Sequence, residues 1–256
     1  MDFPLASAIV PRLELVADTG STNADLRAKA ADAEGWPHLA TLVTRNQTAG
    51  RGRLDRTWVA PADSALAISV LLRTIPADPA ARGWIPLAAG AAMTEAIAEQ
   101  LVGHDVAVKW PNDVLVDGRK ICGILAEATT AAVIVGAGVN TAMTIEQLPV
   151  PTATSFASLG VVVDEDRLLS AYLEKLDGHL SALTASGDAV VSGLHGVVSA
   201  RCATLGLRVS VSLPAGRSVD GVATAIDAEG RLLVESDGRE YPISAGDVVH
   251  VRPAGT

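Results

Sequence analysis

Lys109-Trp110-Pro111-Asn112-Asp113-Val114-Leu115-Val116-Asp117-Gly118-Arg119-Lys120-Ile121-Cys122-Gly123-Ile124-Leu125-Ala126 is the stretch that decides the fold. Asp117-Gly118 suits a two-residue type I′ turn, whose two central residues both need a positive φ that Asp and Gly tolerate. The apolar runs on either side, 114–116 and 119–126, then pair as an antiparallel hairpin. A further strand over 132–139 lies inside the longest apolar run, 131–139. That run suits a buried strand and is far short of the roughly 18–20 residues that cross a bilayer.

Working outward, residues 13–16 read as a short strand followed by the turn Asp18-Thr19-Gly20. Asn23 is placed to cap a helix beginning at Ala24, since its side chain can accept from the free N–H groups of a first turn. Residues 41–44 and 65–72 read as strands, and 84–102 and 165–185 as helices. Residues 47–56 carry two glycines and neither period, so they read as a loop, as does the proline-marked stretch 148–154. From about Leu205 the texture changes to short alternating runs such as Arg208-Val209-Ser210-Val211-Ser212-Leu213. Turn signals at Pro214-Ala215-Gly216, Glu229-Gly230 and Asp237-Gly238 separate them, the pattern of a small β-barrel. The expected fold class is α+β: a mixed β-sheet with helices over residues 1–203, then a barrel over 204–256.

The chain has 256 residues, 49% apolar and 19% charged, which excludes a disordered or fibrous protein. Two cysteines are too few for a disulfide scaffold or a Cys-rich metal site. The start lacks the basic and apolar segments of a signal peptide, so the expected compartment is the cytoplasm. A net charge of −9 argues against a nucleic-acid partner. Against that balance, Arg45, Arg51, Arg53 and Arg56 fall within twelve residues. By themselves they are open between a solvated loop and a site aimed at an anion.

Familiar catalytic motifs are missing from the sequence. There is no P-loop and no Gly-x-Ser-x-Gly elbow, and Gly136-Ala137-Gly138 is half of a dinucleotide fingerprint. The five histidines have no ligand spacing, so no metal site is assigned to protein side chains.

Four segments stand out together: Gly20-Ser21-Thr22-Asn23, the run from Gln47-Thr48-Ala49-Gly50-Arg51-Gly52-Arg53 to Arg56-Thr57-Trp58, Lys109 to Asp113 continued by Arg119 to Leu125, and Gly136-Ala137-Gly138-Val139-Asn140. In this order and spacing they resemble the biotin–protein ligases, over nearly the whole chain. The resemblance implies a mixed sheet related to class II aminoacyl-tRNA synthetases, followed by an SH3-like barrel. It also implies a two-step reaction. Biotin carboxylate attacks the α-phosphate of ATP to give biotinoyl-AMP and pyrophosphate, and a lysine of a biotin carboxyl carrier domain then takes the biotin. Joining a carboxylate to a polyphosphate needs fixed cations and Mg²⁺, and arginine forks and lysine point charges meet that need.

By the same resemblance, Ser21, Thr22, Asn23 and Gln47 surround the ureido head of biotin. Gly50, Arg51, Gly52 and Arg53 close over its carboxylate and the adenylate phosphate, Lys120 contacts those oxygens, and Gly123 lies against the ligand. The nucleotide falls to Arg53, Arg56, Trp58, Lys109, Asn112 and Asn140, the last where the family contacts adenine. The catalytic set is Arg53, Lys120, Lys109 and Asp113, with Asp113 beside the acceptor amine. Trp58 and Trp110 are open between pocket wall and core. Two departures stand beside these matches: Leu54-Asp55 interrupts the arginine loop where relatives carry a second glycine, and 148–156 has no tryptophan to stack on adenine.

Three alternatives follow, of which a non-catalytic carrier-binding module would not need the full set of cationic residues. A lipoate–protein ligase shares the fold and the adenylation, but the Gln47–Arg53 loop and Lys109–Asp113 favour biotin. A biotin-responsive repressor would carry a winged helix ahead of Ser21, and the 20 residues there are too few for one. The expected protein is a single-function ligase, monomer or weak homodimer, with no membrane partner.

Overall fold

The computed structural model describes residues 2–53, 56–213, 218–244 and 247–250. In chain order the first strands are β1 (Leu13–Leu15), β2 (Thr41–Thr44), β3 (Gly50–Arg51), β4 (Thr57–Trp58), β5 (Ala65–Leu72), β6 (Val106–Lys109), β7 (Asp113–Val116), β8 (Arg119–Ala128) and β9 (Val133–Asn140). Strands β3 and β4 form their own short ladder, and the other seven make one sheet ordered β1-β2-β5-β9-β8-β7-β6. Only β1 and β2 run parallel, so the sheet is mixed. The central hairpin turns as its sequence requires, with φ of 49° at Asp117 and 75° at Gly118.

The helices are α1 (Pro4–Ile9), α2 (Thr22–Lys29), α3 (Ile85–Ala98), α4 (Glu165–Ser186) and α5 (Leu194–Ala200). Period-two alternation sorts the central strands between two layers. Leu66, Ile68, Val70 and Leu72 of β5 join Val133, Val135, Ala137 and Val139 of β9 in the core shared with α3 and α4. The intervening residues Leu71 and Ile134 join a smaller core with Leu26 of α2 and Trp36. Full burial of one such aliphatic side chain is worth about 1.5–3 kcal/mol. That outweighs the tenths of a kcal/mol by which most residues differ in intrinsic propensity. Nearly every residue of α3 is buried, which its run of alanines permits between sheet and α4. Asp164 caps α4, and Asp166 in its first turn accepts from the free N–H groups of Leu5 and Ala6, which fixes α1.

The second sheet holds β10 (Arg208–Ser212), β11 (Ser218–Ile226), β12 (Leu232–Ser236), β13 (Arg239–Ile243) and β14 (Asp247–His250). It is antiparallel in the order β13-β12-β11-β10-β14, and Asp237 and Gly238 again take positive φ at a turn. Its inner residues Val209, Val211, Ile226, Leu232 and Val234 continue the main core without a break.

Several local expectations need correction. Ser21, not Asn23, caps α2, which begins at Thr22, so Asn23 lies inside the helix with its side chain turned to the sheet. The 47–56 loop holds β3, because Gly50 and Arg51 pair with Trp58 and Thr57. The helix expected over 84–102 is a 3-10 turn at Ala80–Trp84 followed by α3. Strand β6 and helices α1 and α5 were not expected. Leu54-Asp55, Pro214-Ala215-Gly216 and residues 251–256 lie outside the described residues.

His38 gives this fold a pH dependence. Its Nδ1 accepts from the backbone N–H of Arg73 at 3.1 Å, so that atom carries no proton. Burial pushes the imidazole below its usual pKa; Asp177 opposes this and Arg73 adds to it. The folded state therefore binds this proton less readily than the unfolded chain does. The contribution is complete above the ordinary histidine pKa of about 6.5 and is lost as pH falls below it. Urea unfolding of the parent and His38→Gln at pH 7.5 and 5.5 should show the parent losing more stability on acidification. Equal losses would refute the assignment.

Candidate active site

The site-facing side of β8 and β9 is nearly bare. Gly123 of β8 sits opposite Gly138 of β9, which sits opposite Ala67 of β5; the neighbouring row is Leu125, Gly136 and Ser69. Side chains of the same strands that point the other way fill the core. Over the bare strip lies a cleft of about 920 Å³, counted with its open mouth. Cys122 points into the core, where burial pushes its thiol up to about 12, so it is no nucleophile.

Two of the glycines are required by what lies on them. A Cβ at Gly136 would sit 2.4 Å from Asn23 Oδ1, and one at Gly138 would sit 2.6 Å from Trp58 Cε2. The indole of Trp58 thus rests on Gly138 as a cleft wall, which settles one of the two open tryptophans. Trp110 settles the other way. It is fully buried and its Nε1 donates at 3.0 Å to the carbonyl of Gly230, in the turn between β11 and β12.

One end of the cleft is polar and neutral. Backbone bonds from Thr48 to Thr19 and from Ala49 to Gly20 bring the Gln47 segment beside the start of α2. Gln47 Oε1 then accepts from both the N–H and the hydroxyl of Thr22, at 2.9 and 3.0 Å. The Ser69 hydroxyl lies 2.6 Å from Asn23 Oδ1 and 2.7 Å from Thr22 Oγ1. Asn23 Nδ2 donates to the Leu125 carbonyl and to Glu127. These side chains orient one another before any ligand arrives, and little freedom is left to freeze on binding.

The other end is cationic. Arg53, Arg56 and Lys120 line it, while Arg51, also in the cleft lining, turns to Glu127 beside Asn23. Arg53 donates to Asn112 Oδ1 at 3.0 Å, and Asn112 Nδ2 donates to the Ile124 carbonyl at 2.7 Å, so the arginine loop is tied to the β7–β8 hairpin. Lys120 Nζ lies 2.6 Å from Asp113 Oδ1. Gly123 gives the lysine its path, since a Cβ there would lie 3.0 Å from Nζ.

Of the residues expected at the site, Gly50, Lys109 and Asn140 do not line the cleft. Gly50 lies behind the wall, where a Cβ would come within 2.4 Å of both Gln47 Nε2 and the Trp58 carbonyl. Asn140 is buried and donates to the Thr154 carbonyl. Lys109 pairs with Asp113 across the β6–β7 ladder. Arg45, first of the clustered arginines, turns away to Glu165 and Asp2. Ser69, Glu127 and the floor positions Gly136 and Gly138 were not assigned roles from sequence. A serine inside the buried run 65–72 was a signal for Ser69, since a buried hydroxyl needs partners.

A preset neutral pocket continuous with a cluster of cations suits a small polar molecule bound beside an anion, as in ligases that activate a small acid with a nucleotide. The comparisons with known proteins agree. Residues 18–140 match the biotin/lipoate A/B protein ligase family and 204–251 the biotin protein ligase C-terminal domain. A biotin–[acetyl-CoA-carboxylase] ligase of Mycobacterium tuberculosis is 40% identical over 247 residues, 94% of this chain and 90% of that one. The Aquifex aeolicus biotin protein ligase solved with biotin and ATP has the same fold, with a TM-score of 0.78 at 24% identity over 95% of this chain and all of that one. The Leishmania major biotin protein ligase solved with biotinyl-5-AMP superposes with a TM-score of 0.63 at 28% identity, covering 92% of this chain and all of that one. The chain belongs to the biotin protein ligase family.

Gly138→Ala tests the floor. The added methyl should force Trp58 aside and lower unfolding free energy by about 1–3 kcal/mol. In a Trp58→Ala background most of that cost should vanish, as coupled neighbours require. An equal cost in both backgrounds would show that the indole does not rest on Gly138.

Proposed function

We infer that this protein activates biotin with ATP to biotinoyl-AMP and transfers biotin to a lysine of a biotin carboxyl carrier domain. The observation that carries the inference is one cleft in which the preset Ser21–Thr22–Asn23–Gln47 group adjoins Arg53, Asn112, Asp113 and Lys120. The ureido ring of biotin offers donors and an acceptor that only matched partners satisfy. Its carboxylate would lie toward the cations. There a carboxylate oxygen attacks the α-phosphorus, the bond to the β-phosphate oxygen breaks, and pyrophosphate leaves. Arg53 and Lys120 would stabilise the charge that builds on the phosphoryl oxygens.

In the second step the carrier amine attacks the acyl carbon and AMP departs. An amine of pKa about 10.4 costs about 4.6 kcal/mol to hold neutral at pH 7, so a nearby carboxylate has a use as proton acceptor. Asp113 is the only carboxylate among the described residues lining the cleft. No group of three or more His, Cys, Asp or Glu is placed for a metal among the described residues. That donor set fits a Mg²⁺ held chiefly by nucleotide phosphates and water, with Asp113 the one cleft carboxylate able to join them. When bound, the ion would neutralise polyphosphate charge. The division of the chain at 203/204 assigns this chemistry to the first part, with the small sheet as its support. No helix of the described residues is long and apolar enough to cross a membrane. The net charge of −9 supports a protein rather than a nucleic-acid partner.

Incubating the protein with ATP, Mg²⁺ and a purified carrier domain should add one biotin per carrier and leave lipoate unused. Preference for lipoate would overturn the biotin reading. Arg53→Ala and Lys120→Ala lie at the cleft and should fold normally. Each should slow biotin-dependent exchange of pyrophosphate into ATP by about 30- to 1,000-fold, the loss of a contact made mainly in the transition state. Exchange at the parent rate would remove that residue from the chemistry.

A further inference from the structure

Glu127 ends the site-facing row of β8, two residues past Leu125 and four past Gly123, and it lines neither the neutral nor the cationic end of the cleft. Three donors converge on its carboxylate, whose side chain is only 15% exposed. Asn23 Nδ2 donates to Oε2 at 2.8 Å, Arg51 Nη2 lies 3.2 Å from Oε1, and the Arg27 guanidinium makes the closest contact. Asn23 and Arg27 come from α2 and Arg51 from β3, so one carboxylate joins the helix of the neutral pocket to the first arginine of the loop.

We propose that Glu127 is a positioning residue for the ring end of biotin, acting through Asn23 and Arg51; this rests on the ligase reading above. An asparagine amide is ambiguous until its neighbours fix it. Glu127 and the Leu125 carbonyl can only accept, so they hold Nδ2 toward the sheet. Oδ1 is left lying over Gly136 beside the Ser69 hydroxyl, and its second lone pair would accept from a ureido N–H. With a glutamine at 127 that discrimination falls to what the longer bond to the Leu125 carbonyl provides, because the glutamine amide accommodates either orientation of Asn23. Arg51 loses its counter-charge at the same time. Stability is not the reason for the arrangement. The Arg27 and Arg51 side chains are 44% and 46% exposed, and ion pairs so wetted contribute little to folding.

The test is direct binding of biotin, without ATP, to the full chain by calorimetry, beside ATP saturation in pyrophosphate exchange. Glu127→Gln should melt with the parent, bind biotin roughly 10- to 100-fold more weakly, and raise the KM for biotin but not for ATP. Glu127→Asp, which keeps the acceptor-only head, should recover part of the affinity. Parent affinity in Glu127→Gln overturns the proposal. So does a fall in melting temperature that accounts for the weaker binding and that Glu127→Asp shares. If the parent itself binds no biotin, it is the ligase reading that fails.

Discussion

A β-strand can present packed side chains on one face and nothing on the other, and this site depends on that asymmetry. Along β9, Val133, Val135, Ala137 and Val139 face the α3–α4 core while Gly136 and Gly138 face out. Opposite Gly138 stands Gly123 of β8, so the bare positions pair across the ladder into a strip. The valines hold the glycines' strands in place. Glycine in a strand weakens it by about 0.5–1 kcal/mol, which the buried alternate residues offset several times over. The hollow is therefore stable without a ligand, and the walls can be built from elements remote in sequence: α2 and Trp58 against β9, and the Asn112–Lys120 hairpin against the arginine loop.

Polar satisfaction then governs the two ends differently. At the neutral end, Thr22, Asn23, Gln47 and Ser69 are mutually bonded in a largely dry corner, where an unpaired group would cost about 1–3 kcal/mol. A ligand that fails to match the lone pairs left over pays that cost, so the corner favours a polar ring over an apolar one. At the cationic end the groups are wetter and paired with partners that can be exchanged: Arg53 with Asn112, Lys120 with Asp113. An anion arriving there replaces one set of charge-assisted contacts with another.

The strands that carry the site were legible in the sequence because their burial is extreme. The run 65–72 could hardly be anything else, and Asp117-Gly118 announced its own turn. The site segments were legible as strings, yet a string does not say which way each side chain points. Asn23 looked like a cap because it precedes a helical run; the tertiary bonds to Ser69, Leu125 and Glu127 draw it into the helix and leave the cap to Ser21. Gly50 and Asn140 belong to matching segments but serve the backing of the wall and the Thr154 segment. Lys109 sits on a strand too short to register as a run of its own. Glu127 was invisible for a different reason. Its meaning lies in three donors that are separated from it by up to 104 positions in the chain.

Trp110 shows how the two sheets become one machine. It stands directly before Pro111-Asn112-Asp113, fully buried, with its N–H on Thr204 Oγ1 and its indole N–H on the Gly230 carbonyl. Trp84 reaches the same turn through the Ala228 carbonyl, and that turn meets residues 83 and 84 so closely that a Cβ on Gly83 would lie 2.8 Å from the Glu229 carbonyl. Between the sheets the chain does not hang free either: Val108 donates to the Arg201 carbonyl, and Ala203 donates back to Val108. Two tryptophans each bury enough surface to matter more than any surface ion pair in the molecule. The second sheet needs no catalytic side chain of its own to influence the chemistry. By clamping Trp110 it fixes the strand end from which Asn112 reaches Arg53 and Asp113 reaches Lys120.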